Sequence, residues 1–497
     1  MIPARPTDAE LGARSLRHLQ AVVAIDSQSD ERSATIPTTE GQRVLAAELE
    51  RFFGSLGYAT ERDAHANIIA VVPGRGTRAG AAPVAFLVHL DTARGTQAVP
   101  SLEVQRDWVG TALRFLRNPG IVVNVANYPG LAAFLGHDVV HGPGDFPFGL
   151  DDKLGLAHMM TLATLLHEHP EVEHPPLLLV GRPDEECGRF EAIHALAKNF
   201  AARGVKYAYT IDGILPYEIN VENFNAAVAH VHFPGGPGPG SRWLVHIGGV
   251  NTHGATARAE GHRAAPRLVA EWAAACPELM ITEFQSDALR DCDAVVGATG
   301  PDTALDAIHA VMAPHLPRGA SYRVESVVRA GNAAADAMVR WLHRFYASNP
   351  GFTLPAEDSS GRDGYSHPYR ALPHEGGLRL DVRIRDFSLA GRDARVAHVK
   401  ALAPGATHGE QYLDMGPRLS AFPELVDWAL AAGRVVGVAS EIAPIRGGTG
   451  VDPFLDRGIP VANLGTGYFA PESEKELTSL QFMAGHARWL FALVQRL

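Results

Sequence analysis

The sequence has no stretch of about 18 consecutive apolar residues, so it offers no membrane-spanning helix. The segment from Met1 to Gln20 is polar and mixed in charge, unlike a secretory leader. Cysteine is scarce. Cys187, Cys276 and Cys292 are too few for a disulfide framework, and their spacing matches no zinc ribbon. A reducing, cytoplasmic setting is the compartment these features predict. Positive charge is also in deficit: 44 Lys and Arg against 55 Asp and Glu give a net charge of −11. No basic run, helix-turn-helix pattern or Gly-rich phosphate loop offsets that deficit. A nucleic-acid surface, which needs clustered Lys and Arg, is therefore not expected. Internal repeats and low-complexity tails are lacking too.

What remains is the composition of a globular protein, 46% hydrophobic and 20% charged, over 497 residues. That length exceeds a single core and predicts two domains. Thr39-Glu40-Gly41-Gln42 opens a helix whose apolar residues Val44, Leu45, Leu49 and Phe52 recur at helical spacing. Asn67 to Val72, Val84 to Val88, Leu177 to Val180 and Val205 to Ile211 are short apolar runs that read as buried strands, and Lys153 to Glu168 reads as a helix. Strands alternating with helices predict a largely parallel α/β sheet.

From about residue 215 the pattern changes. Ala226 to His232 and Arg242 to Ile247 alternate around a Pro/Gly-rich loop, as in an antiparallel hairpin, and Leu378 to Phe387 also alternates. Residues 262 to 350 read as mostly helical, including Asp302 to Met312 and Asn332 to Tyr346. Helical patterns return near Glu424 to Ala432 and Leu480 to Gln495. The expected architecture is α/β: a discontinuous domain, 1–214 and 418–497, interrupted by an α+β domain over 215–417 with a helical insertion near 265–350.

Four short motifs fall at the C-terminal ends of predicted strands, where open α/β sheets place their sites. They are His89-Leu90-Asp91-Thr92, Gly149-Leu150-Asp151-Asp152-Lys153, Pro183-Asp184-Glu185-Glu186 and Thr210-Ile211-Asp212-Gly213. Each taken alone is more often a turn or a helix cap; Asp151 and Asp152, for example, are also good residues for a helix start. Four in this order point to a metal site, because imidazole with carboxylate suits zinc or manganese. Asp91, two residues beyond His89, can hold the imidazole ring. Adjacent Glu185 and Glu186 point to opposite faces if extended, so one can bind metal while the other takes a proton from water.

These motifs, with Glu222-Asn223-Phe224-Asn225-Ala226-Ala227, Arg385-Asp386-Phe387 and Pro444-Ile445-Arg446-Gly447-Gly448-Thr449, resemble the peptidase T branch of the co-catalytic metallopeptidases, which also include aminoacylases and carboxypeptidases. The resemblance implies a metallopeptidase-type catalytic domain with an inserted lid and dimerisation domain. It implies that His89 and Asp212 bind a first metal, Asp151 bridges to a second, Glu186 binds the second and Glu185 is the general base. Asp91 is carried with the catalytic set. His253, in Asn251-Thr252-His253-Gly254, matches a lid histidine that contacts substrate, often across a dimer interface. Arg385, Arg446 and Asn223 are implied to bind substrate.

The sequence departs from that pattern where the second-metal histidine should stand: Lys475 occupies the position, in Ser473-Glu474-Lys475-Glu476-Leu477-Thr478. A protonated lysine has no lone pair to offer a cation. Lys475 therefore favours one divalent ion, zinc or manganese, over two, unless Glu472, Glu474 or Glu476 supplies a carboxylate instead. The expected function is metal-dependent hydrolysis of a peptide or amide C–N bond in a small, carboxylate-bearing substrate, by a homodimer or higher homo-oligomer. Two alternatives are a one-metal aminohydrolase of an activated aromatic amine, such as 5-nitroanthranilate, and a non-catalytic ligand-binding relative.

Overall fold

A computed structural model describes residues 6–252, 261–286, 290–349, 364–445 and 447–497. The chain divides into two compact units. One comprises Met1–Asn118, Val123–Asn223 and Met415–Leu497; the other comprises Pro119–Val122 and Phe224–Asp414.

The first unit is built on an eight-stranded sheet. Its central strands, Leu177–Arg182, Val84–His89, Tyr207–Gly213 and Val461–Gly465, are neighbours in that order and run parallel. Val84–His89 is buried along its whole length, as is Leu177–Arg182. Such continuous apolar runs are what a parallel strand covered on both faces requires. Phe86 stacks on Tyr209 of the adjacent strand with ring centroids 5.6 Å apart. The helix Leu150–Glu168 packs on this sheet and against the helices Asp8–Val23 and Leu480–Val494. Its hydrophobic residues are distributed all round rather than on one stripe, so neighbours must cover every side. Gly155 lies where a Cβ would collide with the Asp152 side chain and the Ile211 carbonyl, so the helix approaches the strand closely only because that side chain is missing.

A small sheet beside the main one, Tyr468–Phe469, Leu477–Ser479, Val139–His141 and Glu103–Gln105, holds the loop 470–476 between its first two strands.

The second unit carries two four-stranded antiparallel sheets with helices Ala265–Ala275, Thr303–Met312, Ala333–Ser348 and Leu389–Leu402. Two expectations are corrected. The region 265–350 is not mostly helical; its three helices alternate with strands Met280–Ser286, Asp293–Thr299 and Ser321–Asn332. Ser321–Asn332 has only half-buried and exposed positions, so it lacks the continuous apolar run that marks a strand covered on both faces. The expected hairpin around Pro234 to Gly240 is also not formed. Asn225–Phe233 pairs with Gly377–Asp386 and Thr407–Tyr412, whereas Pro237–Gly248 pairs with Asp293–Thr299 and Ser321–Asn332. Pro234, Pro237 and Pro239 cannot donate to a hairpin ladder, so the segment joins two sheets instead of turning within one.

Candidate metal centre

Three parallel strands deliver the site. His89 ends Val84–His89, Asp212 lies at the end of Tyr207–Gly213, and the turn after Leu177–Arg182 carries Glu185 and Glu186. Asp151 follows Gly149, which takes a left-handed φ of 84° against Thr92, and is itself extended (φ −84°, ψ 108°) before the helix proper.

The His89 ring is fixed from one side. Nδ1 lies 2.9 Å from the Asp91 carbonyl oxygen, and Nε2 faces Asp151 Oδ1 at 2.8 Å and Asp212 Oδ1 at 3.4 Å. One ligand atom from each of His89, Asp151 and Asp212 lies within 4.8 Å of the others. Ligands at about 2.1 Å around a tetrahedral ion stand roughly 3.4 Å apart, so these spacings fit a divalent cation. A second group within the same limit is Asp151, Glu186 and Glu472.

The electrostatics agree. Burial raises Asp212 to about 7 against the attraction of His89, with smaller repulsions from Asp151 and Glu185 adding to the rise. Burial, then the charges of Asp151 and Glu472, push Glu186 well above the carboxylate range. Burial and Asp212 do the same to Asp152, whose Oδ2 accepts the His89 N–H at 3.1 Å. Burial alone would lower His89, but Asp212, Asp151 and Asp91 hold its imidazole well above the usual value. The cluster thus retains protons that a cation would displace.

Supporting contacts explain the sequence motifs. The buried Asp91 carboxylate accepts the backbone N–H of Glu185 (2.9 Å) and of Glu186 (3.0 Å), and lies 3.5 Å from His89 Nδ1. It therefore holds the glutamate turn as well as facing the ring. Asp184, with φ 60°, accepts from Thr38 and from Gln42 Nε2 (2.7 Å), which ties the Thr39–Gln42 motif to the same turn. Glu185 Oε1 lies 3.3 Å from Arg182 Nη2.

No family model matches the chain. Peptidase T from Exiguobacterium sibiricum is 27% identical over 499 aligned residues, covering 97% of this chain and 97% of that protein. Peptidase T from Shouchella clausii is 28% identical over 461, covering 89% and 88%. Among solved structures, a Staphylococcus aureus tripeptidase superposes with a TM-score of 0.52 at 14% identity, covering 97% of this chain and 98% of that one. Aminopeptidase PepT from Bacillus cereus gives 0.51 at 16% identity, covering 98% of each chain. The chain is thus similar to peptidase T over nearly its whole length and shares the fold of these aminopeptidase and tripeptidase structures.

Within this peptidase T-like chain, His89, Asp91, Asp151, Glu185, Glu186 and Asp212 come together in the first unit. Asn223 Oδ1 in that unit accepts the Met415 N–H at 2.7 Å. Arg385 belongs to the second unit, where its Nη1 donates to Gln411 Oε1 at 2.8 Å and to the Ile384 carbonyl at 2.9 Å. His253 and Arg446 lie outside the described residues. Lys475 Nζ is 3.1 Å from Glu474 Oε1, both side chains being buried.

Sequence reasoning missed two supports. Tyr468 Oη donates to Asp151 Oδ2 at 3.0 Å. Glu476 Oε2 accepts the N–H groups of Phe148 (3.0 Å), Gly149 (2.8 Å) and Leu150 (3.3 Å), while its Oε1 accepts that of Glu472 at 3.0 Å. One carboxylate so braces the loops that present Asp151 and Glu472. Glu476 was visible as a charged residue in the altered run, but nothing marked Tyr468.

Proposed function

We propose that this chain is a metal-dependent peptidase that hydrolyses a peptide C–N bond in a small substrate. The observation that carries the reading is the convergence of His89 Nε2, Asp151 and Asp212 at parallel strand ends, with Glu185 on the neighbouring turn. His89, Asp151 and Asp212 would hold zinc or manganese, with Glu186 beside them. When bound, the cation polarises the scissile carbonyl and makes water more acidic. Glu185 takes the proton from that water and returns it to the leaving amine. Asp91 keeps Glu185 in place through its backbone N–H, and Arg182 anchors the carboxylate from the far side.

The second unit is proposed as a lid and dimerisation domain. His253 is proposed to stabilise charge on the substrate oxygen from a partner subunit, and Arg385, Arg446 and Asn223 to recognise a substrate carboxylate, which guanidinium groups pair with well. These assignments rest on the sequence motifs. A cytoplasmic location is supported by three unpaired cysteines, and no described helix is long and apolar enough to cross a membrane. Relatives named peptidase T, matched over about 90% of the chain or more, favour a peptide over an aromatic amine. The retention of Glu185 together with His89, Asp91, Asp151 and Asp212 disfavours a non-catalytic binder.

The test is a substrate panel of tripeptides, acyl amino acids and substituted anthranilates, offered to protein loaded with zinc or manganese. Tripeptide turnover lost on chelation and regained on adding metal is expected. Turnover of anthranilates alone would overturn the peptidase reading.

A further inference from the structure

The second unit contains one arrangement twice, although the sequence shows no repeat. Asn225–Phe233, Ala333–Ser348, Tyr365–His374, Gly377–Asp386, Leu389–Leu402 and Thr407–Tyr412 form an outer strand–helix–strand–strand–helix–strand module. Pro237–Gly248, Ala265–Ala275, Met280–Ser286, Asp293–Thr299, Thr303–Met312 and Ser321–Asn332 form an inner one, placed between the outer module's first strand and first helix. In each, the four strands lie in the order second, third, first, fourth, and every neighbouring pair is antiparallel. The first helices also match. Ala265, Leu268, Val269 and Trp272 are buried in one, Ala335, Met338, Val339 and Leu342 in the other, both sets at helical spacing. The Ala333 N–H donates to the Gly236 carbonyl at 3.0 Å, so the inner module leaves the chain where it enters and is a closed insertion.

The two modules pack through equivalent parts. First helix lies against first helix, second strand against second strand, and each first helix against the other module's second strand. Between the helices, His343 Nε2 donates to the Ala270 carbonyl at 2.9 Å, and the Arg267 guanidinium stands 4.5 Å from the Tyr346 ring centre. Between the strands, the Ala371 N–H donates to Ser286 Oγ at 2.8 Å. Reciprocal contact of equivalent elements is the mark of a two-fold, self-complementary interface, such as two copies of one module build in a homodimer. We infer that the inner module takes, within one chain, the place that a second copy's outer module would take, so that the protein works as a monomer with a built-in partner. This rests on the lid reading above and changes one part of it, the source of His253. Asn251-Thr252-His253-Gly254 follows the inner module's first strand in the sequence, so the chain itself supplies the histidine that another subunit would otherwise bring.

The test uses the full chain loaded with zinc or manganese. Sedimentation equilibrium is expected to give the single-chain mass of 53.1 kDa. Tripeptide turnover per chain is expected to be the same at about 1 μM and about 1 nM protein, a range over which a dimer of micromolar Kd would dissociate. A mass twice that of the chain, or turnover per chain that falls on dilution, would overturn the built-in partner. Co-expression of Glu185→Gln with His253→Ala gives a second readout. Activity no greater than the sum of the two variants alone is expected; activity above that sum would place the histidine in another subunit and overturn the inference. A monomer that turns over no tripeptide would overturn the peptidase reading and leave the duplicated module in place.

Discussion

Tyr468 touches Asp151 without being a ligand candidate itself. Its hydroxyl donates to Asp151 Oδ2 at 3.0 Å, leaving Oδ1 to face His89. Partners of this kind orient a ligand, and their loss costs roughly tenfold or more in metal affinity. Tyr468→Phe should fold normally and bind manganese about tenfold more weakly in a chelator competition, the lower end of that range. Unchanged affinity would show that Asp151 needs no such support. The contrast with His89 shows what sequence can convey. His89, Asp151, Glu185, Glu186 and Asp212 were legible because each stands in a short polar run at the end of an apolar strand. Tyr468 sits at a strand start with no charge beside it, and its partner is 317 residues away. Glu476 acts on backbone N–H groups at Phe148 to Leu150, which leave no side-chain signature.

Two helices of the catalytic unit meet through a pair of histidines. His158, on Leu150–Glu168, stacks on His486, on Leu480–Val494, with centroids 4.7 Å apart and planes 11° from parallel. His158 Nε2 is 2.9 Å from the Thr466 carbonyl oxygen, and His486 Nδ1 is 2.8 Å from that of Phe482. Burial lowers His158 to about 4, and burial with the neighbouring His158 lowers His486 well below the usual value. Both stay neutral when folded, while the unfolded chain takes up protons from about pH 6.5 downward. Stability is therefore complete above that pH and is lost as pH falls towards 4, on the order of 3 kcal/mol for His158 across the window. His158→Gln keeps a donor for Thr466 and should show a smaller drop in denaturation free energy between pH 7 and 5 than wild type. An equal drop would assign acid sensitivity elsewhere. At this scale the sequence read best where burial is two-sided. Val84–His89 and Leu177–Arg182 are unbroken apolar runs, and the apolar helix after Asp151 is too long for a strand. It read worst for one-sided strands such as Ser321–Asn332, whose alternation is diluted by Arg323, Glu325 and Arg329.

For the molecule as a whole, metal binding and folding are linked. A cation that binds only the folded chain adds about 2.7 kcal/mol when its concentration is a hundred times Kd. Manganese should therefore raise the thermal midpoint of chelator-treated protein, and His89→Ala should lose most of that rise. An equal rise in the variant would move the cation away from the His89 site. The central claim joins this cation to chemistry through Glu185, and one measurement tests it directly: the tripeptide hydrolysis rate per bound metal ion, for wild type and Glu185→Gln in parallel. The predicted result is equal metal content with turnover at least about a hundredfold lower in the variant, the lower range for losing a general base. Turnover that survives Glu185→Gln at equal metal content would contradict the account.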